Sequence, residues 1–157
     1  MRLLVLLVGK TRNPACRQEL EHYRQRLGRY LTCEVRELKE EKPGRKESPK
    51  DFCRRQAPGL CAEFAREPGP RLLLDEHGRQ RDSREFAAFL ERLLGGGHRN
   101  LVFLCGGAFG YDDRVRQSAD HLVSLSRLTF PHELARVLLF EQLYRALTII
   151  RHEPYHY

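Results

Sequence analysis

Apolar positions along this chain fall into blocks that switch between unbroken runs and helical spacing. Residues 3–8, LLVLLV, form a continuous apolar run ended by Gly9, the pattern of a strand buried on both faces of a parallel sheet. Leu20, Tyr23, Leu27 and Tyr30 then recur at helical spacing and predict a helix over 14–30, with Asn13 as N-cap and Pro14 at its first position. Residues 32–38 alternate weakly and read as a second strand. The segment KEEKPGRKESPK, 39–50, is a charged loop punctuated by proline and glycine. Ser48 with Pro49 opens a helix to about Arg66, which Pro58 and Gly59 are expected to interrupt.

The second half repeats this grammar. RLLLD, 71–75, predicts a short buried strand followed by a turn, EHGRQ. Asp82 and Ser83 cap a helix whose stripe is Phe86, Phe89, Leu90, Leu93 and Leu94, and the three glycines 95–97 stop it. NLVFLC, 100–105, is another buried strand and runs straight into GGAFG. A helix over 112–119 and a short strand over 121–124 precede LSRLTFPH and a last helix. Strands alternating with helices predict one parallel α/β domain over residues 1–157, and no internal repeat or low-complexity tract contradicts it. The last helix carries Leu134, Val137, Leu138, Leu139, Phe140, Leu143, Tyr144 and Leu147, more than one stripe. It must be covered on two sides, by the sheet plus another helix or by a second subunit.

Composition sharpens this picture without changing it. Charged residues make up 31% of the 157, but 41% apolar residues in periodic blocks argue for folding rather than disorder. Of the net charge of +7, residues 10–66 hold an excess of six, fifteen Lys and Arg against nine Asp and Glu. That half is suited to face a polyanion, although a solvated arginine-rich surface would look the same. Five cysteines form no CxxC pair, which fits reduced thiols. The opening MRLLVLLVG is short, is followed at once by Lys10 and lacks a small-residue cleavage site, so it reads as a strand and not a signal. No run reaches the roughly 18 apolar residues of a membrane span, so a soluble cytoplasmic protein without membrane contact is expected.

Four segments carry candidate chemistry. GGAFG at a strand's end lets backbone amides approach a ligand, although GGxxG is a poor dinucleotide fingerprint and a ligand-free turn is the alternative. Leu74 near the end of RLLLD offers backbone polar groups if its strand lies beside NLVFLC. In LSRLTF, backbone groups suit the edge of a heterocycle and Leu128 and Phe130 supply apolar walls, whereas Ser126 and Thr129 as helix caps are the competing explanation. Glu141 and Arg145 stand at i, i+4 on the last helix, ordinary spacing for an ion pair. In the tail, His152 and His156 are four apart, but Pro154 breaks helical register between them, so no metal is expected. Tyr155 and His156 beside Arg151 suit stacking on a base, with a frayed terminus as the alternative.

With LCGGAFG, SLSRLTFPHELARVLLFEQLYRA and RHEPYHY in this order, the chain closely resembles the large-subunit ribosomal RNA methyltransferase H family, small enzymes of the SPOUT class. LLVLLVGK, EHYRQRLGRY and LLLDEHG fit too, so the resemblance spans the whole length. It implies an α/β fold with a C-terminal trefoil knot, an exception to the rule that chains do not thread loops. It implies a homodimer, S-adenosylmethionine as methyl donor, and transfer to N3 of a pseudouridine in the helix 69 stem-loop of 23S rRNA in the assembled 70S ribosome. Carried over by motif, donor binding falls on Leu74, Gly106, Leu125, Ser126, Arg127, Leu128, Thr129 and Phe130, with Gly107 and Gly110 in support. Arg145, Tyr155 and His156 would face the target base. Where the family has Pro-His-Pro or Pro-His-Gln, this chain has Pro131, His132 and Glu133, which leaves the role of His132 open.

The chemistry so implied turns a sulfonium into a neutral thioether while an imide nitrogen loses its proton. Arg145 would stabilise the negative charge growing on the ring and His156 would accept the proton, directly or through water. The basic half would contact rRNA phosphates, which position and do not specify. Two other readings compete: a ribosome-binding protein without chemistry, which would lack a donor pocket, and a nucleotide-dependent oxidoreductase, which would bind NAD(P).

Overall fold

The computed structural model describes residues 1–155. Its elements run β1 (Arg2–Val8), α1 (Pro14–Leu27), β2 (Thr32–Leu38), α2 (Pro49–Ala65), β3 (Arg71–Gln80), α3 (Ser83–Gly95), β4 (Asn100–Cys105), α4 (Asp113–Ser118), β5 (His121–Ser124) and α5 (His132–Ile150). The strands form one sheet in the order β2-β1-β4-β3-β5, and every pairing is parallel. The expected α/β alternation is therefore present throughout.

Side-chain alternation along the strands sorts the core into two halves. Leu3, Val5 and Leu7 of β1 and Leu101, Phe103 and Cys105 of β4 face α1, α3 and α5. Leu4, Leu6 and Val8, with Val102 and Leu104, face Ala57, Leu60 and Phe64 of α2 and Val115 of α4. Both faces of β1 and β4 are thus buried, which is why their sequences read as unbroken apolar runs. The apolar girth of α5 has its explanation here as well: it lies on the sheet and packs against both α1 and α3. Leu134, in its third position, stays 40% exposed.

Three local expectations need correction. Helix α1 ends at Leu27 rather than Tyr30, because the amides of Arg29 and Tyr30 tighten into three-residue turns on Arg26 and Leu27 (3.2 and 2.9 Å). The segment EHGRQ is not a turn beyond a strand; β3 continues through it to Gln80. The strand bulges after Leu74, which pairs with Val123, and rejoins β5 with Arg79 opposite Val123 and Gln80 opposite Ser124. Gly78 in that bulge presses on the Val123 backbone, where a Cβ would come within 2.6 Å. Helix α2 also runs unbroken through Pro58 and Gly59. Proline there cannot donate to the carbonyl of Arg54, and that carbonyl accepts instead from the Arg114 guanidinium of α4 at 2.6 Å.

This substitute partner predicts coupling between two positions. In a double-mutant cycle read by urea unfolding, Arg114→Ala should cost about 1 kcal/mol in the parent and close to nothing in a Pro58→Ala background, where a restored amide takes the Arg54 carbonyl. Equal costs in both backgrounds would show that Arg114 does not replace the missing helix bond.

Candidate functional site

The carboxyl ends of β4 and β5 meet the bulge of β3 at one place. Leu74 pairs with Cys105 on one side and Val123 on the other, so the residues that follow each strand converge. They enclose a cavity of about 340 Å³ lined by Leu74, Asp75 and Glu76 at the bulge of β3, by Cys105, Gly106 and Gly107 at the end of β4, and by Ser124, Leu125 and Ser126 at the end of β5. Leu128, Thr129, Phe130 and, from the first turn of α5, His132 and Ala135 also line it, as do Tyr111 and Arg116. Its position outside the carboxyl ends of a parallel sheet and its size both suit a small-molecule ligand.

Of the residues proposed from sequence for donor binding, all line this cavity except Arg127, which is exposed in the same loop. Gly110 also lines it, in a left-handed conformation (φ 72°) that a side chain would strain. Gly106 has a second reason to be glycine besides the one expected. A Cβ there would lie 2.6 Å from the Tyr111 ring, so the missing side chain makes room for a tyrosine that bonds the Leu104 carbonyl (3.3 Å). Burial pushes the Tyr111 phenol well above its ordinary range and the Cys105 thiol up to about 12. The cavity floor is therefore uncharged, and Cys105 is no nucleophile at neutral pH.

Loop 125–130 holds itself in shape. The Ser124 hydroxyl donates to the Ser126 carbonyl and the Ser126 hydroxyl accepts from the Leu128 amide, each at 3.0 Å. Ser126 thus caps a turn of its own loop, and α5 begins with no side-chain cap. Leu128, expected as an apolar wall, lies at the rim and is 72% exposed. Polar lining comes from residues that sequence reasoning left without a role. Asp75, buried at the end of the straight part of β3, accepts from the Arg116 Nε (2.9 Å), the His77 amide (2.8 Å) and the His77 ring (3.0 Å). Arg116 also reaches Asp113 at 3.0 Å.

Two further contacts tie the start of α5 to the loop after β1. Glu133, where this chain departs from the family's Pro-His-Pro or Pro-His-Gln, accepts from the amides of Arg12 and Asn13, the latter at 3.2 Å. Arg136 is 1% exposed and donates to the carbonyls of Val8 (2.5 Å) and Gly9 (3.1 Å) and to the Thr11 hydroxyl (3.0 Å). Inside an apolar helix its charge left no distinctive sequence signal.

The proposed base-facing residues are gathered elsewhere. Arg145 makes a paired contact with Glu141 (2.9 and 2.5 Å), a bond that raises its already high pKa. The Tyr155 hydroxyl lies 3.3 Å from both Glu141 and the Tyr23 hydroxyl. Its ring packs edge-on against Tyr144 at 4.7 Å, with the guanidinium groups of Arg145 and Arg26 at 4.9 and 5.0 Å from the ring centre. Burial raises the Tyr155 pKa, so the phenol stays protonated. The tail reaches this place by turning at His152, whose φ is 56°. None of these residues lines the cavity; Arg145 stands ten residues beyond Ala135 on α5, about 15 Å along the helix. His156 lies outside the described residues. Among the described residues no group of His, Cys, Asp and Glu is placed to hold a metal ion, and no helix is long and apolar enough to cross a membrane.

Comparison with known proteins finds similarity along the whole chain. A family model described as "Predicted SPOUT methyltransferase" matches residues 1–156. A protein of Geotalea daltonii named "Ribosomal RNA large subunit methyltransferase H" is 42% identical over 157 residues, covering all of both chains. Proteins of the same name from Geobacter sulfurreducens, 40% identical over all of both chains, and Porphyromonas gingivalis, 38% identical over all of this chain and 99% of that one, are similar in the same way. The chain belongs to the SPOUT methyltransferase family.

Proposed function

We propose that this protein uses S-adenosylmethionine to methylate N3 of a pseudouridine in the helix 69 stem-loop of 23S rRNA, acting on the assembled ribosome. The observation that carries the reading is the cavity where Leu74 at the bulge of β3, Gly106 and loop 125–130 meet. Its chemistry suits the donor: apolar walls from Leu74, Leu125 and Phe130 for a nucleoside, Arg116 for a carboxylate, and Asp75 and Glu76 for positive charge. Leu74, Gly106 and residues 125–130 would hold the donor, which supplies a methyl group on positively charged sulfur. The names of the relatives support ribosomal RNA as the acceptor. The trefoil knot of the family belongs to the same reading, as does cytoplasmic action.

Arg145, Tyr155 and His156 are assigned to the target base. Arg145 neutralises negative charge that grows on the ring as N3 loses its proton, and His156 accepts that proton. Tyr155, held neutral, offers a ring face and a hydroxyl. Because Arg145 and Tyr155 stand apart from the cavity within one chain, the reading requires a homodimer in which one copy's tail serves its partner's cavity. Leu134, exposed on α5, supports a second copy there. The basic half would lie along rRNA: Lys10, Arg29, Lys39, Lys42, Arg45, Lys46 and Lys50 have no carboxylate partner among the described residues. Contacts of this kind make binding salt-dependent.

Mass spectrometry of 23S rRNA from a strain lacking the protein should show the loss of one methyl group on a pseudouridine, and an unchanged rRNA would end the proposal. In single-turnover assays with ribosomes, Arg145→Ala and His156→Ala should each lower the rate about 10²- to 10⁴-fold; near-normal turnover of both would remove them from the chemistry. Gly106→Ala, which drives a Cβ into Tyr111, should abolish donor binding by calorimetry, while Cys105→Ser should keep it. Mixing Arg145→Ala with Gly106→Ala should recover part of the activity through mixed dimers that retain one intact site. No recovery would place tail and cavity of the same chain together.

A further inference from the structure

Among the described residues, Arg136 is the one fully buried charge that the proposed chemistry does not use. It is 1% exposed and its Nε has no hydrogen-bond partner. Its other nitrogens meet only neutral oxygens, those of Val8, Gly9 and Thr11. The carboxylate nearest in sequence, Glu133, is engaged by the amides of Arg12 and Asn13, and no carboxylate forms an ion pair with Arg136 among the described residues. Burying an unpaired cation is costly, and an apolar residue would fill the same space without that cost.

Its position relates this charge to the cavity. Leu7 pairs with Cys105, so Val8, whose carbonyl Arg136 holds, stands beside Gly106 on the neighbouring strand, about 4.8 Å away. Ala135, the preceding residue, lines the cavity, as do Cys105 and Gly106. The guanidinium therefore sits behind the cavity wall, on the order of 10 Å or less from its interior. Burial raises the Cys105 thiol and the Tyr111 phenol, and the positive charge of Arg136 opposes both shifts. The cavity's own charges are Asp75, paired with Arg116, and Glu76.

We infer that Arg136 is a fixed positive charge that disfavours a sulfonium in the cavity and favours the neutral thioether formed when the methyl group leaves. The inference rests on the cavity being the donor site. In the transfer the S–CH3 bond breaks with its electron pair remaining on sulfur, a bond forms from the base nitrogen to the methyl carbon, and the nitrogen's proton passes to a base. Sulfur loses its positive charge in that step, so a nearby cation that touches neither ligand lowers the barrier by opposing the starting charge. Arg136 also holds residues 8–11 against α5, a structural task that any long donor could share. The electrostatic role is separated from it by comparing ligands that differ only in charge.

Calorimetry on the intact protein should therefore use S-adenosylmethionine and S-adenosylhomocysteine side by side. The parent should bind the neutral thioether more tightly. Arg136→Met and Arg136→Gln should reduce that preference on the order of tenfold, while Arg136→Lys, which keeps the charge, should preserve it. A preference unchanged in the neutral variants, or a parent that favours the sulfonium, would overturn the inference. The second comparison decides the matter even if the neutral variants fail to fold. A parent that binds neither ligand would instead refute the donor-site reading, and this inference with it.

Discussion

The register that sets Leu74 between Cys105 and Val123 is the constraint on which the site depends. In a parallel sheet every strand points the same way, so neighbours in register release their following loops on the same edge. Shifting β3 by one residue would turn Leu74 to the other face and carry Asp75 out of reach of Arg116. The bulge after Leu74 matters for the same reason. It lets β3 leave the ladder for the cavity rim and then rejoin β5, so that one strand both supplies a wall and fixes the start of loop 125–130.

Helix α5 connects this edge to the rest of the molecule. Its first turn lines the cavity through His132 and Ala135, its middle lies on the sheet between α1 and α3, and its last turns carry Arg145 into a cluster of tyrosines. Glu133 and Arg136 clamp its beginning to the loop after β1. Cavity and aromatic cluster are thus two ends of one rigid rod. A chemistry that needs both within one reaction has to bring in a second copy or a rearranged tail, and folding a single chain does neither.

Polar groups in this fold are buried only where they are answered. Asp75 is surrounded by three donors, and the Arg54 carbonyl that Pro58 leaves without a partner finds Arg114. Arg136 departs from this rule, since its Nε has no hydrogen-bond partner and no carboxylate forms an ion pair with it among the described residues. A core held to such a standard elsewhere makes the exception informative.

Much of the molecule was legible from residue patterns. Unbroken apolar runs at 3–8 and 100–105 marked strands buried on both faces, and Asn13, Ser48 and Asp82 marked helix starts, because burial and capping leave local signals. The segments that build the cavity were also visible as motifs. Local patterns misled wherever a distant partner decided: Pro58 looked like a helix breaker because Arg114 lies fifty-six residues away, and EHGRQ looked like a turn because its pairing with Val123 and Ser124 is long-range. The motif at Gly106 was visible in sequence, but its contact with the Tyr111 ring was not. The sequence by itself determined the alternation of strands and helices and the chemical inventory of the site, since both follow from side-chain periodicity and residue type. Tertiary structure alone decided that Leu74, Gly106 and Phe130 share a cavity, that Arg145 and Tyr155 lie away from it, and that Arg136 is buried behind its wall, because those facts depend on strand order and packing between residues far apart in the chain.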